Sequence, residues 1–409
     1  MKKFFALLLS LAMVLALVAC GQKETTTPDD TQTPDDTTPE VEYKIAMITD
    51  YGDITDQSFN QTTYEACKEF CEANGVKFNY FKPAGDNTAD RVAMIEKAVD
   101  EGYNVIVMPG YAFGGAIVEA APQHKDVKFI ALDVSKGDLL EAGVAAAGEE
   151  YDYNPDNWDL AKYVDMSNVY CAIYQEELCG YMAGYAAVKL GYKNLGFLGG
   201  MAVPAVVRYG YGFVQGVDAA AADLGLTDVS LNYVYGGQFF GDADITAVMD
   251  TWYAGGTEVV FACGGGIYTS AVDAAKKANA KVIGVDVDQA GVIAGYAGVE
   301  GMTVTSAMKG LYPTTYDTLT DVIVNGNWDK YVGQIATLGL VSGDNPEANY
   351  VQIPMESTQW ADGAFTQDDY KAMVKDMFDG KLTVSNDISK SPEDFATVIT
   401  VDAQGQLKG

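Results

Sequence analysis

The chain has 409 residues, enough for two core-bearing lobes, and is 48% hydrophobic and 20% charged, the balance of a soluble globular protein. Its formal net charge of −31, from 57 acidic against 26 basic residues, excludes the basic footprint that nucleic-acid binding needs. His124 is the single histidine, which argues against a histidine-rich metal site and against a Ser-His-Asp hydrolase; neither metal nor cofactor is expected.

Residues 1–19 read as a targeting segment. Met1-Lys2-Lys3 is a charged start, and Phe4 to Val18 is an apolar run too short for a good permanent span. It ends in Leu17-Val18-Ala19-Cys20-Gly21, which resembles a bacterial lipobox. That resemblance implies acylation at Cys20, a lipid anchor to the membrane, and a place on the extracytoplasmic face of the cell membrane. Residues 20–42 follow as a Thr/Pro/Asp tether with no apolar residue able to join a core between Glu24 and Glu40. Five further cysteines remain, an odd count that does not suggest a disulfide framework. Cys67 and Cys71 are four apart on a predicted helix, where shared-face packing is the simpler reading.

From Tyr43 strands and helices alternate. Strand Lys44–Thr49 ends at Asp50 and leads to a helix near Asp56–Asn74, with Asp56 as its N-cap. Strand Lys77–Phe81, helix Asn87–Glu101, strand Asn104–Met108, a short helix over about Gly114–Ala121 and strand Lys128–Leu132 follow. The segment Asp138–Asp165 reads as irregular surface. The alternation then restarts with strand Val169–Ile173 and helix Glu176–Leu190. Strand Asn194–Leu198, helix Val207–Leu224, strand Ser230–Tyr235 and helix Asp242–Gly255 come next. Strand Glu258–Phe261, helix Ile267–Asn279, strand Lys281–Val285, strand Met302–Thr305 and helix Lys309–Asn325 complete the pattern. The tail is less regular, with a helix over Phe365–Asp379 and a terminal strand at Gly380–Val384. The expected fold class is α/β, two doubly wound parallel-sheet lobes with a cleft between them. The first lobe is expected to hold residues 43–167 and about 307–326, the second 168–306 and about 327–409.

Ligands in such sheets sit at the carboxyl ends of strands. Asp50, Phe59, Asn60, Asp133, Met201, Phe261, Gly264, Gly265 and Asp286 fall at such ends or in the loops they deliver. Carboxylates accept hydrogen bonds from vicinal hydroxyls or ring N–H groups, aromatic faces stack on planar rings, and glycines admit close backbone approach. A planar base attached to a sugar fits that set. Simpler readings stand beside it. Phe261 could be core, and Gly264-Gly265-Gly266 lacks the lysine of a phosphate loop. Lys309, near a predicted helix start, is unfavourably placed unless it meets an anion or a ligand.

The stretches ITDYGDITDQSFNQTTYE, FIALD, NLGFLGGMAVPAVVRYGYGFVQG, VVFACGGG, IGVDVDQ and TVTSAMKG, in this order over about residues 44–312, resemble the basic membrane protein (BMP) family; GKLTV at 380–384 resembles its last strand. These are purine-nucleoside-binding lipoproteins of ABC transporters with a type I periplasmic-binding-protein fold. The resemblance implies a monomeric binding protein rather than an enzyme, which passes a nucleoside to ABC permease subunits. It further implies that Phe59 and Phe261 sandwich the base, and that Asp50 and Asp133 meet its edge or help close the site. By the same resemblance Gly264 and Gly265 line the cleft, and Asp286 and Lys309 bind ribose hydroxyls, with Asn60 and Met201 as further contacts. The chain departs from the family at Gln57, Tyr209 and Gly266-Ile267, which leaves the base preference open. A furanose or autoinducer binder, a ligand-presenting sensor and a nucleoside hydrolase are the alternative functions.

Overall fold

The computed structural model describes residues 42–408. The expected signal segment, Cys20 and nearly all of the tether lie outside them.

Elements follow in chain order as β1 (Lys44–Ile48), α1 (Phe59–Asn74), β2 (Lys77–Phe81), α2 (Thr88–Asp100), β3 (Val105–Pro109) and α3 (Phe113–Ala120). Then come β4 (Lys128–Leu132), α4 (Lys136–Ala146), α5 (Leu160–Tyr163), β5 (Val169–Tyr174), α6 (Glu176–Lys189), β6 (Asn194–Gly199) and α7 (Pro204–Leu224). They continue as β7 (Ser230–Tyr235), α8 (Ala243–Ala254), β8 (Val259–Cys263), α9 (Tyr268–Ala278), β9 (Lys281–Asp286), α10 (Ala290–Ala297) and β10 (Thr303–Lys309). The last are α11 (Leu311–Leu319), β11 (Ile335–Leu338), β12 (Val351–Gln352), α12 (Gln367–Phe378) and β13 (Thr400–Gln406).

The strands form two sheets, in the orders β11-β5-β4-β3-β1-β2 and β12-β10-β9-β8-β6-β7-β13. All pairings are parallel except β12 on β10. Central strands such as β3 (VIVMP) and β8 (VVFAC) are buried along their whole length, because helices cover both sheet faces. The edge strands β2 and β13 are mostly exposed and carry the polar residues.

The division of the chain between sheets differs from the sequence expectation. β5 pairs with β4 through Phe129↔Val169, so it closes the first sheet instead of opening the second. The stretch before it is an insertion within the first alternation, not a boundary. α4 forms inside that stretch because Ser135 and Asp138 make a reciprocal capping box and Leu139, Leu140 and Val144 supply a buried face. β10, including 307–309, pairs with β9 in the second sheet. The chain returns to the first sheet afterwards, with α11 against α1 and β11 on β5, and crosses again to reach β12.

No strand forms at 380–384. Gly380 takes φ +72 at the end of α12, and the N–H groups of Lys381 and Leu382 both donate to the Asp376 carbonyl. Those donors close the helix C-terminus and are lost to a ladder. The last strand is β13, on the edge of β7.

α6 and α7 approach with their backbones almost in contact. A Cβ on Gly180 or Gly184 would lie 2.3 or 2.4 Å from α7 carbonyl oxygens, and one on Gly212 or Gly216 would lie 2.1 Å from α6 carbonyl oxygens. The four-residue spacing puts each glycine pair on one helix face. This joint sits where the chain passes from the first sheet to the second, within one buried cluster that runs from Ile45 and Phe70 to Phe213 and Phe261.

Candidate functional site

The carboxyl ends of both sheets face a cavity of about 500 Å3. One wall comes from the loop after β1 (Asp50, Asp56, Phe59, Asn60), from Gly110-Tyr111 after β3, and from Asp133 after β4. The other comes from the start of α7 (including Tyr209), from Phe239-Phe240 after β7, from Cys263–Gly266 after β8, and from Asp286 and Lys309 at the ends of β9 and β10.

The β1 loop is built by Asp56. Its carboxylate accepts from the N–H groups of Ser58, Asn60 and Gln61 and from the Asn60 side-chain amide, so it caps α1 although the helix proper starts at Phe59. Burial pushes its carboxyl up to about 6, against those donors. Asp50 Oδ1 accepts from the N–H groups of Tyr51 and Gly52 at 2.6 Å each and from Asn60 Nδ2 at 3.2 Å. Both amide hydrogens of Asn60 are thus spent on carboxylates, and its buried Oδ1 has no protein partner. Burial raises the Asp50 carboxyl above its ordinary value, with the two backbone N–H groups opposing.

Lys309 is the electrostatic centre. Its Nζ donates to Asp133 Oδ2 at 2.5 Å and lies 3.5 Å from Glu176 Oε1 and 3.8 Å from Asp286 Oδ1. Burial works against its charge, but Asp133, Asp286 and Glu176 outweigh that and raise its pKa. The ammonium also sits 4.6 Å from the centre of the Phe59 ring. Lys309 ends β10 and directly precedes Gly310, the N-cap of α11, so it does lie near a helix start, and Asp133, Glu176 and Asp286 are the anions it meets there.

Asp133 and Asp286 are the strand-end carboxylates of β4 and β9, and both adopt left-handed backbone conformations, φ +61 and +63. Such conformations cost free energy for residues other than glycine and persist where the surroundings fix them. Here Lys309 is the shared partner. Asp286 also accepts from Ser58 Oγ at 2.5 Å and from Tyr209 Oη at 3.3 Å. Burial raises the Asp286 carboxyl, against the pull of Lys309 and Ser58. Asp133 Oδ1 is buried with no protein partner.

Of the residues singled out in the sequence, Asp50, Phe59, Asn60, Asp133, Gly264, Gly265, Asp286 and Lys309 line this one cavity. Phe261 does not. It is fully buried among Phe197, Tyr209 and Phe213. Side chains alternate along a strand, so Phe261 shares a face with Cys263 but sits one repeat below the cavity that Cys263 reaches. Met201 is also outside the lining; its Sδ accepts from Tyr51 Oη at 3.5 Å. The aromatic wall on the second-sheet side is made by Phe239, Phe240 and Tyr209. The strand-end rule applied to β7 would have found Phe239. Ser58 was visible inside the β1 loop. Glu176 and its partner Arg208, at 2.7 Å, carried no local signal because they meet only through the α6–α7 joint. Among the described residues no cluster of His, Cys, Asp and Glu could hold a metal ion.

Two parallel α/β sheets with a polar and aromatic cavity at their carboxyl ends are the architecture of ABC-system solute-binding proteins of type I periplasmic-binding-protein form. Solved structures agree on the fold. A solute-binding protein from Aeropyrum pernix K1 matches with TM-score 0.61 at 20% identity, over 86% of this chain and 90% of that one. One from Conexibacter woesei matches with TM-score 0.58 at 20% identity, over 84% and 99%. Residues 43–351 match the Bmp family model, described as ABC transporter substrate-binding protein PnrA-like, and the chain belongs to that family. It is 26% identical over 263 residues to the ABC transporter nucleoside-binding protein BmpA of Lactococcus lactis, spanning 61% of this chain and 65% of that relative. It is 28% identical over 303 residues to the CD4+ T-cell-stimulating antigen of Listeria innocua, spanning 70% and 74%.

Proposed function

We propose that this ABC transporter substrate-binding protein captures a purine nucleoside and delivers it to a membrane permease, tethered outside the cell by a lipid on Cys20. The observation that carries the reading is the division of the cavity. Phe59 and Phe239 offer aromatic surface on opposite walls, and Lys309 with Asp286 and Asp133 gathers a donor and two acceptors beside Phe59. Aromatic faces suit a flat base, and a lysine–carboxylate group suits vicinal hydroxyls. The open acceptors, Asn60 Oδ1 and Asp133 Oδ1, call for ligand N–H or O–H groups.

Charge argues for a ligand without phosphate. Two cations, the buried Lys309 and the largely buried Arg208, meet three carboxylates, Asp133, Glu176 and Asp286. A phosphate would add charge of the sign already in excess. The name of the Lactococcus lactis relative supports a nucleoside. Relatives named as lipoproteins support the anchor, and among the described residues no helix is long and apolar enough to cross a membrane.

Two lobes, one on each sheet, close on the ligand. The first carries β1 to β5, α11 and β11, and the second carries the other strands. The chain passes between them at α6, between β10 and α11, and between β11 and β12, and these three passages form the hinge. The protein acts as a monomer and binds without turnover. Calorimetric titration of residues 41–409 with adenosine, guanosine, inosine, free bases and ribose tests the ligand class. Binding of a purine nucleoside well above ribose is expected; ribose binding without nucleoside binding would favour the furanose reading. Release of free base from inosine would overturn the binding-only role.

A further inference from the structure

The loop that carries Phe239 and Phe240 is held from behind by the end of the chain. β13 lies parallel to β7 as far as Gln406↔Tyr235, and the Leu407 N–H then donates to the Tyr235 carbonyl at 2.8 Å. Leu407 packs on the buried cluster that contains Leu198, Val234, Ile245 and Ile267. Gly237 is the next contact: a Cβ there would sit 2.6 Å from the Lys408 carbonyl oxygen, so backbone meets backbone. Gly237 also takes φ +83, which only glycine adopts without strain.

Lys408 then reaches the other end of the loop. Its Nζ donates to Asp242 Oδ2 and lies 3.6 Å from Asp244. Asp242 is a junction. It caps α8 through the Ile245 N–H at 3.0 Å and accepts from Gln238 Nε2 at 2.8 Å, while Gln238 Nε2 also donates to the Phe240 carbonyl at 2.9 Å. On the cavity side the Phe239 carbonyl accepts from the Gly266 N–H at 2.9 Å. The Phe239 ring covers Gly200 and Gly264 so closely that a Cβ on Gly200 would come within 2.3 Å of it. The loop is therefore fixed on its cavity face by the glycine turn after β8 and on its outer face by residues 407–408.

We propose that Leu407 and Lys408 are positioning residues for the ligand site, setting the Phe239 ring for stacking by clamping residues 236–242. The proposal rests on the nucleoside-binding reading above and adds to it a part of the chain that lies beyond the family-matched residues and outside the cavity lining.

The test compares wild type, Lys408→Ala, Lys408→Arg, Phe239→Leu and the Lys408→Ala/Phe239→Leu double variant. Guanosine and adenosine serve as probes, with thermal unfolding and amide hydrogen exchange measured without ligand. Lys408→Ala is expected to weaken nucleoside binding about three- to tenfold while leaving the unfolding midpoint in place and speeding exchange across 237–242. Lys408→Arg should restore both. In the Phe239→Leu background, Lys408→Ala should cost little more, since the ring it positions is gone. Unchanged affinity and exchange in Lys408→Ala, or fully additive losses in the double variant, would overturn the proposal. If wild type binds no nucleoside, the function reading fails by itself, and the exchange measurement still decides whether the clamp exists.

Discussion

Ser58 and Asp286 are 228 positions apart, yet the Ser58 hydroxyl donates to Asp286 Oδ2 at 2.5 Å. One belongs to the loop of the first sheet and the other ends a strand of the second. Lys309 with Asp133, and the Gln289 side chain with the Gln57 carbonyl at 3.1 Å, make the same kind of bridge. Of these bridging residues Asp133, Asp286 and Lys309 also line the cavity, so the contacts that join its two walls belong in part to the site itself.

Ser58→Ala removes one bridge without touching the aromatic walls. A hydrogen bond to a charged group is worth about 1.5–3 kcal/mol, so nucleoside affinity should fall by roughly tenfold or more. Titration measures it, and small-angle scattering of the unliganded variant should show a larger radius than wild type. An affinity equal to wild type would separate the bridge from closure.

The three phenylalanines should divide by role. Phe59→Ala and Phe239→Ala should each weaken base-containing ligands by about 1–3 kcal/mol, the usual worth of a base–aromatic stack. Phe261→Ala should instead cost about 3–5 kcal/mol of folding stability, as for a large core side chain. Urea unfolding alongside titration distinguishes the two effects; a stability loss for Phe239→Ala as large as that for Phe261→Ala would contradict the assignment.

Stability should fall with rising pH through Glu177. This side chain is 2% exposed, and burial pushes its carboxyl up to about 7 from the ordinary 4.5. Below about pH 4.5 folded and unfolded chains both hold the proton. Between there and 7 the folded chain keeps a proton that the unfolded chain releases, so stability drops as pH rises, by at most about 3 kcal/mol from this group. Glu177→Gln should remove that slope. The difference in urea midpoint between variant and wild type should therefore move in the variant's favour from pH 5 to pH 8, and a constant difference would be evidence against it.

Asp218 of α7 anchors the stretch that leads to β13. Its carboxylate accepts from the N–H groups of Thr397, Val398 and Ile399 at 2.8, 2.8 and 3.2 Å and from the Thr397 hydroxyl at 2.6 Å. Asp218→Ala removes the acceptor from all four donors and leaves the buried Ile399 N–H unmatched, a cost of about 1–3 kcal/mol. Limited proteolysis should then cut within 385–400 at protease levels that spare wild type. Equal resistance would mean that β13 holds by its ladder alone.

Much of this architecture was legible because its signals are local. Apolar runs ending in Asp50, Asp133 and Asp286 marked strand ends, and strand ends converge in a parallel sheet. What escaped depends on distance along the chain. The sheet membership of β5 is a pairing choice between similar apolar runs, and nothing within the strand encodes it; β10 lies in the expected lobe except for its last residues, 307–309. Phe261 was misplaced because it shares a strand face with Cys263 but lies one two-residue repeat further from the strand end, so it fills core where Cys263 reaches the cavity. Glu176 and Arg208 meet through two helices, so neither one's sequence neighbourhood names the other. β13 is mostly exposed and lacks an apolar run, so its strand came from the free edge of β7.

All five cysteines among the described residues are free and buried, and burial pushes their thiols up, Cys71 to about 12. At neutral pH they are thiols rather than thiolates, and Cys263, which lines the cavity, is only 1% exposed. The folded body should therefore react slowly with maleimides. A single cysteine placed at Phe240, 54% exposed on the cavity rim, would be the first thiol such a reagent meets. A solvent-sensitive dye attached there, in the body of residues 41–409 that lacks Cys20, would turn cleft closure into an optical signal.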